Sequence, residues 1–137
     1  MILVDSSVWI DLFADRATPQ TEAGRRFLAD DERIAVGDLI LVEVLQGTRD
    51  RRDFDSKRTR LAQFEQLQIV EPRVALQSAR NYHRLRALGI TPRKTVDTLI
   101  ATRCILDDIP LLFSDRDFLP FVQHLGLRSA LDDTGLN

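Results

Sequence analysis

The chain has 137 residues, suited to one compact domain, and 44% of them are hydrophobic, enough for a real core. Acids outnumber bases 21 to 19, for a formal net charge of −2, so the overall balance does not mark an avid nonspecific nucleic-acid binder. With Cys104 as the one cysteine, an intrachain disulfide is excluded, and its apolar-periodic setting reads as a buried thiol rather than a nucleophile.

The opening Met1-Ile2-Leu3-Val4-Asp5 has no basic n-region and no long apolar run. No signal peptide or membrane span is expected, and the cytoplasm is the expected compartment. Ile2 to Val4 reads as a strand buried on both faces. Ser6 or Ser7 is expected to cap a helix through Val8 to Phe13. Thr21 to Ala29 reads as helix and Arg33 to Val36 as a second strand. Asp38 is the expected N-cap of a helix over Leu39 to Gln46, with Gly47 as its stop. Arg49 to Leu67 is charged, then amphipathic, with Phe54, Leu61, Phe64 and Leu67 near one face. Gln68 to Glu71 is the expected third strand, closed by Pro72. A helix from Val74 to Leu88 should end at Gly89, and Thr95 is expected to cap another running to about Leu106. Leu111 to Phe113 reads as a fourth strand, followed by a helix near Phe118 to Leu125 and an edge strand over Leu127 to Ala130.

Strands separated by helices predict an α/β fold with a mainly parallel central sheet flanked by helices, built as a single domain over 1–137. Ligands in such folds sit beyond the carboxyl ends of the strands, so the residues just past each strand are the candidates. Asp5 follows the first strand; Asp115 and Asp117 follow the fourth. Capping of the next helix is the bland alternative for Asp5 and for Asp117. Glu43 interrupts the apolar run Leu39 to Leu45, so it is expected to be buried against a cleft, a cation or an arginine partner. Asp97 stands in the first turn of its helix, where a negative charge is also favoured by the helix dipole. Carboxylates converging on one edge repel, and a hard divalent cation among them, Mg²⁺ or Mn²⁺, relieves that repulsion. Neither His83 nor His124 falls in a zinc-ligand spacing, and the chain has no Gly-rich phosphate loop and no G-x-S-x-G elbow.

These segments resemble a known family. Met1 to Ile10 is similar to the opening of PIN-domain proteins, where an aspartate ends strand one and a Ser/Thr pair follows. Glu43-Val44-Leu45-Gln46-Gly47 resembles the family's second-acid segment and Val96 to Ala101 its third-acid helix start. Leu111 to Phe118 resembles its closing motif. Order, spacing and length match across nearly the whole chain, and the compact form resembles VapC-type toxins. One departure is that Phe113 stands where many members carry threonine, with Ser114 beside it. The resemblance implies a PIN-like fold, Mg²⁺-dependent RNA cleavage, a homodimer and a cognate antitoxin protein as partner, with a structured RNA such as tRNA as substrate. It implies Asp5, Glu43, Asp97 and Asp115 as catalytic residues. Asp5, Asp97 and Asp115 are then the metal ligands, with Asp117 the alternative to Asp115, and Glu43 binds a second ion or orients water.

The competing reading is a receiver-like phosphoacceptor domain. That would want paired acids after strand one and a lysine near the last strands. Here Ser6-Ser7 follow Asp5, and Lys57 and Lys94 lie elsewhere in the chain. A PIN scaffold that binds RNA or protein without cutting is the other alternative, against which the complete acidic quartet stands. The cluster Arg49, Arg51, Arg52, Arg58 and Arg60, interleaved with Asp50, Asp53 and Asp55, reads as a solvated mixed-charge face. An RNA-backbone or antitoxin contact is its functional alternative.

Overall fold

A computed structural model describes residues 1–131. Its strands are β1 (Ile2–Val4), β2 (Ile34–Gly37), β3 (Glu65–Leu67) and β4 (Leu111–Leu112). Seven helices connect and follow them: α1 (Ser6–Phe13), α2 (Pro19–Ala29), α3 (Asp38–Gln46), α4 (Arg51–Leu61), α5 (Pro72–Ala87), α6 (Thr95–Leu106) and α7 (Leu119–Leu125). The strands form one sheet in the order β3-β2-β1-β4, and every pairing is parallel, as expected.

That order has a consequence for the site. The chain steps outward from β1 to β2 to β3, then returns past β1 to lay down β4 on its other side. Right-handed crossovers therefore send the helices after β1 and β2 to one face and those after β3 to the opposite face. The packing agrees: α1 touches α2 and α3, whereas α5 packs along α6. The reversal lies between β1 and β4, and a crevice opens at such a switch point beyond the strand ends. The two strands meet in register, Leu3 opposite Leu111 and Val4 opposite Leu112, so the segments leaving their carboxyl ends emerge side by side. The Asp5 amide donates to the Leu112 carbonyl at 2.9 Å and locks that alignment.

The buried core explains why the short apolar runs become strands. Leu3, Val4, Ala35, Val36, Leu111 and Leu112 are all sealed from water, as a sheet covered on both faces requires. Ile40, Leu61, Leu85, Ile100 and Phe118 from the surrounding segments complete the same cluster.

Several local expectations are corrected. The third strand is Glu65–Leu67, not Gln68 to Glu71, and the Arg49 to Leu67 segment stops being helical at Leu61. β3 is an edge strand and largely exposed, so it carries no hydrophobic signal; Arg33 holds its Glu65 through two bonds of 2.7 and 2.6 Å. The apolar Ile69 instead marks where the chain dips into the core after the strand. Asp5, rather than Ser6 or Ser7, is the N-cap of α1. Gly37 caps α3, and Lys94 is the cap residue of α6 in place of Thr95. Leu127 to Ala130 contributes one parallel bridge, Ser129 to Leu111, not a strand.

Asp38 has a wider task than capping. Its carboxylate accepts from the amides of Leu39 at 2.8 Å, Ile69 at 2.9 Å and Val70 at 3.2 Å. It thereby ties the start of α3 to the chain leaving β3. Removing it strands the amide of the buried Ile69, which costs about 1–3 kcal/mol. Asp38→Ala should lower the unfolding free energy by about that amount in urea melts, and Asp38→Asn by less, since its amide oxygen still accepts. An Asp38→Ala protein as stable as wild type would show that the tie carries no stability.

Candidate active site

Four elements deliver acids to the crevice. β1 ends at Asp5, which is 3% exposed. Its Oδ2 accepts from the Ser7 amide at 3.2 Å and from the Ser7 hydroxyl at 2.6 Å, so Asp5 caps α1 and faces the site together. The Ser7 Oγ in turn accepts from the Ser114 amide at 3.3 Å, joining the start of α1 to the segment after β4. Asp97 enters from the first turn of α6 and is 5% exposed. Its Oδ2 is buried and has no hydrogen-bond partner. Asp115 follows β4 and caps a 3₁₀ turn, Arg116–Phe118, accepting from the Asp117 amide at 2.9 Å. Glu43 comes from α3, where the Ser6 hydroxyl donates to its Oε1 at 3.2 Å.

Among the described residues, one group of acids is spaced to hold a metal ion: Asp97, Asp115 and Asp117 offer oxygens within 4.8 Å of one another. Asp5 and Glu43 lie outside that group, although both charges act on Asp97. Asp117, considered only as an alternative to Asp115, therefore stands beside it.

The expectation that α3 buries Glu43 needs correction. Only Ile40 and Val44 of that helix are buried, Val42 is 57% exposed, and Glu43 is half-buried on the crevice side. A seven-letter apolar run thus misleads, because α3 covers the sheet with one stripe only. No basic group pairs with Glu43 among the described residues, which removes the structural ion pair weighed for it.

The electrostatics follow from packing like charges where water is scarce. Burial pushes the Asp5 carboxyl up to about 6, opposed by the Ser7 hydrogen bonds and aided by Glu43. Burial likewise pushes Asp97 up to about 7; Lys94 opposes this, while Asp5, Asp115 and Glu43 add to it. The Lys94 ammonium lies 3.4 Å from Asp115 Oδ2 and 4.0 Å from Asp97 Oδ2, and those charges raise its own affinity for a proton.

Lys94, Ser6 and Ser7 are the site residues that sequence reading does not identify as such. The two hydroxyls read as helix caps and as the Ser/Thr pair of the PIN opening, with no acid assigned to either. Lys94 is set apart from the last strand in sequence, yet the fold brings it to the residue that follows that strand. A lysine near the last strands, the feature held absent against a receiver-like domain, is therefore present in space. The strand order and the acids, not the lysine, separate the two readings. The hydroxyl shifted to Ser114 does not reach an acid: its Oγ is buried without a partner, while Phe113 packs against Phe118 with ring centres 5.3 Å apart.

A parallel sheet whose switch point gathers acids from two strand ends and two helices defines the class. The family model of the PIN domain matches residues 2–121, and the chain belongs to that family. Among curated proteins it is similar to the VapC ribonuclease Mb1587 of Mycobacterium bovis, at 27% identity over 131 residues, covering 95% of this chain and 98% of that protein. Ribonuclease VapC11 of Mycobacterium tuberculosis matches to the same extent, 27% over 95% of this chain and 98% of its own. Among solved structures, VapBC2 from Rickettsia felis bound to a promoter DNA fragment superposes with a TM-score of 0.74 at 17% identity, covering 94% of this chain and 97% of that one. VapBC-1 from nontypeable Haemophilus influenzae gives 0.72 at 16%, covering 94% and 96%. These last likenesses bear on the fold.

The raised carboxyls make a pH prediction. Both hold a proton more tightly folded than unfolded, so their contribution to stability is full below about pH 4 and is lost as pH rises through about 6 to 7. In chelator, wild-type melting temperature should fall between about pH 5 and about pH 7.5 on their account. Asp97→Asn should flatten that fall and melt higher than wild type at the upper end. Parallel pH profiles for the two proteins would show that Asp97 does not carry the repulsion.

Proposed function

We propose that the chain, acting over 1–137 as one PIN domain, is a metal-dependent endoribonuclease and the toxin component of a toxin–antitoxin pair. The observation that supports it most is the buried Asp97 Oδ2, left without a hydrogen-bond partner amid other carboxylates. The half-exposed Lys94 ammonium stands 4.0 Å from it, outside hydrogen-bond range, so a closer cation among the carboxylates would lower the cost of burying the charge. An all-oxygen donor set fits a hard ion, Mg²⁺ or Mn²⁺. Asp97 and Asp115 would hold it, with Asp117 or Asp5 completing the set. When bound, such an ion supplies charge neutralisation at a phosphodiester and Lewis-acid polarisation.

The protein's own residues do the rest. Ser7 fixes the Asp5 carboxylate by two hydrogen bonds, so Asp5 cannot swing away from the crevice. Ser6 fixes one oxygen of Glu43 and leaves the other for solvent, where it orients a water molecule and takes its proton as the water oxygen attacks phosphorus. One ester P–O bond breaks, and the departing oxygen takes a proton from solvent. Substrate is RNA, with a structured RNA such as tRNA as the class to test first.

For the antitoxin, a groove of about 330 Å³ is lined by Trp9, Leu12, Phe13, Leu28 and Phe64 together with Arg60 and the ion pair Arg25–Asp15. Arg60 lies 4.5 Å over the Phe13 ring, and the Trp9 indole nitrogen is buried without an acceptor. An apolar segment of a partner carrying acidic groups suits those features. Elsewhere in the arginine cluster, Arg49 faces Asp53 and Arg51 faces Asp55. Among the described residues no helix is long and apolar enough to cross a membrane, which suits the cytoplasm.

Purified protein should cut RNA with Mg²⁺ and not in chelator. Glu43→Gln should lose about 10²–10⁴-fold in rate at an unchanged or higher melting temperature. In cells, expression of the chain alone should slow bacterial growth, and Glu43→Gln or co-expressed antitoxin should relieve it. A folded Glu43→Gln protein with wild-type cleavage would break the mechanism.

A homodimer is part of the same reading. Leu76 and Tyr82 of α5, its cap residue Leu88 and the nearby Val70 stay exposed, whereas α4 offers only Phe54, so α5 is the better face. Light scattering over a dilution series should give twice the monomer mass; a monomer at high micromolar concentration would contradict it.

A further inference from the structure

Lys94 stands where helix physics disfavours a lysine. The cap position of a helix normally takes Ser, Thr, Asp or Asn, whose oxygen satisfies a free amide, and the positive end of the dipole repels a cation. Lys94 makes no side-chain cap bond. Its ammonium instead lies over the acids, 3.4 Å from Asp115 Oδ2 and 4.0 Å from Asp97 Oδ2. Both carboxylates belong to the group whose oxygens lie within 4.8 Å of one another.

We propose that Lys94 is a built-in counter-cation of the acid cluster, holding the place of the divalent ion and setting how tightly the site takes it. The inference rests on the metal reading of the site and deepens it. A magnesium ion sits roughly 2.0–2.1 Å from each oxygen ligand, and an ammonium sits roughly 2.7–2.9 Å from a carboxylate oxygen. An ion held by these carboxylates would stand within a few ångströms of the ammonium, and their like charges oppose joint occupancy. The lysine can yield because its side chain is 55% exposed, with a flexible stem and open solvent on the far side. Asp97 cannot, being buried at the start of α6. Lys94 therefore acts as a positioning residue: it keeps Asp97 and Asp115 drawn together in the ion-free protein and resists the incoming ion.

The test titrates Mg²⁺ into the whole protein at low ionic strength and about pH 8.5, above the value of about 7 for Asp97, and follows melting temperature and binding heat. Ion-free Lys94→Gln should melt below wild type, yet reach half-saturation at about tenfold lower Mg²⁺, because one repelling charge at contact range is gone. Lys94→Arg, which keeps the charge, should stay near the wild-type midpoint. A role confined to the helix end would lower the melting temperature of Lys94→Gln equally with and without Mg²⁺ and leave the midpoint unmoved, overturning the proposal. Wild type that binds no Mg²⁺ would overturn the metal reading and this one with it. Wild type that binds, with Lys94→Gln at the same or a higher midpoint, would remove the counter-cation role alone.

Discussion

A cluster of like charge is confined where the strand order reverses. β1 and β4 run parallel and in register at the centre of the sheet, so Asp5 and the Asp115 segment emerge next to each other. α6 begins above them and adds Asp97, while α3 brings Glu43 from the side. Any fold that closes the hydrophobic core in this strand order forces those carboxylates into one crevice. The core contributes stability, and the crevice opposes it.

Neighbouring groups limit that opposition without abolishing it. Ser7 donates its hydroxyl to Asp5 and accepts from the Ser114 amide, so one side chain stabilises an anion and staples two segments. Ser6 does the like for Glu43, and Lys94 stands across Asp97 and Asp115. Even so, Asp5 and Asp97 remain well above the ordinary carboxylate range, at about 6 and about 7. Carboxyls raised by burial among like charges are characteristic of functional sites, whereas pairing with a cation lowers a carboxyl. The surface pairs Arg33–Glu65 and Arg73–Asp107 illustrate the contrast, since there each acid simply meets a guanidinium at 2.6 Å.

How much of this was legible in the sequence depends on whether the signal was local. Ile2 to Val4 and Leu111 to Leu112 announced themselves because a strand buried on both faces must be apolar throughout. Asp5 and Asp115 could then be found by position alone, and the helix starts near Asp38 and Thr95 from polar residues ahead of apolar periods. β3 was illegible: an exposed edge strand of Glu65, Gln66 and Leu67 needs no hydrophobic pattern, and the apolar pair just beyond it drew the prediction three to four residues too far. The apolar letters of α3 overstated the burial of Glu43, since composition does not report which side of a helix is covered. Lys94 was illegible for a different reason. Its partner Asp115 is 21 residues away, and only the tertiary fold brings them together.

Under the proposed function a divalent ion completes a cluster whose carboxyls are otherwise held partly protonated. Proton release on Mn²⁺ binding, measured by calorimetry in buffers of different ionisation heat, tests it most directly. With Asp5 near 6 and Asp97 near 7, binding at about pH 6 should expel on the order of one proton, and binding at about pH 8.5 should expel almost none. Binding that releases no proton at about pH 6, or the same number at both, would place the ion away from these carboxylates.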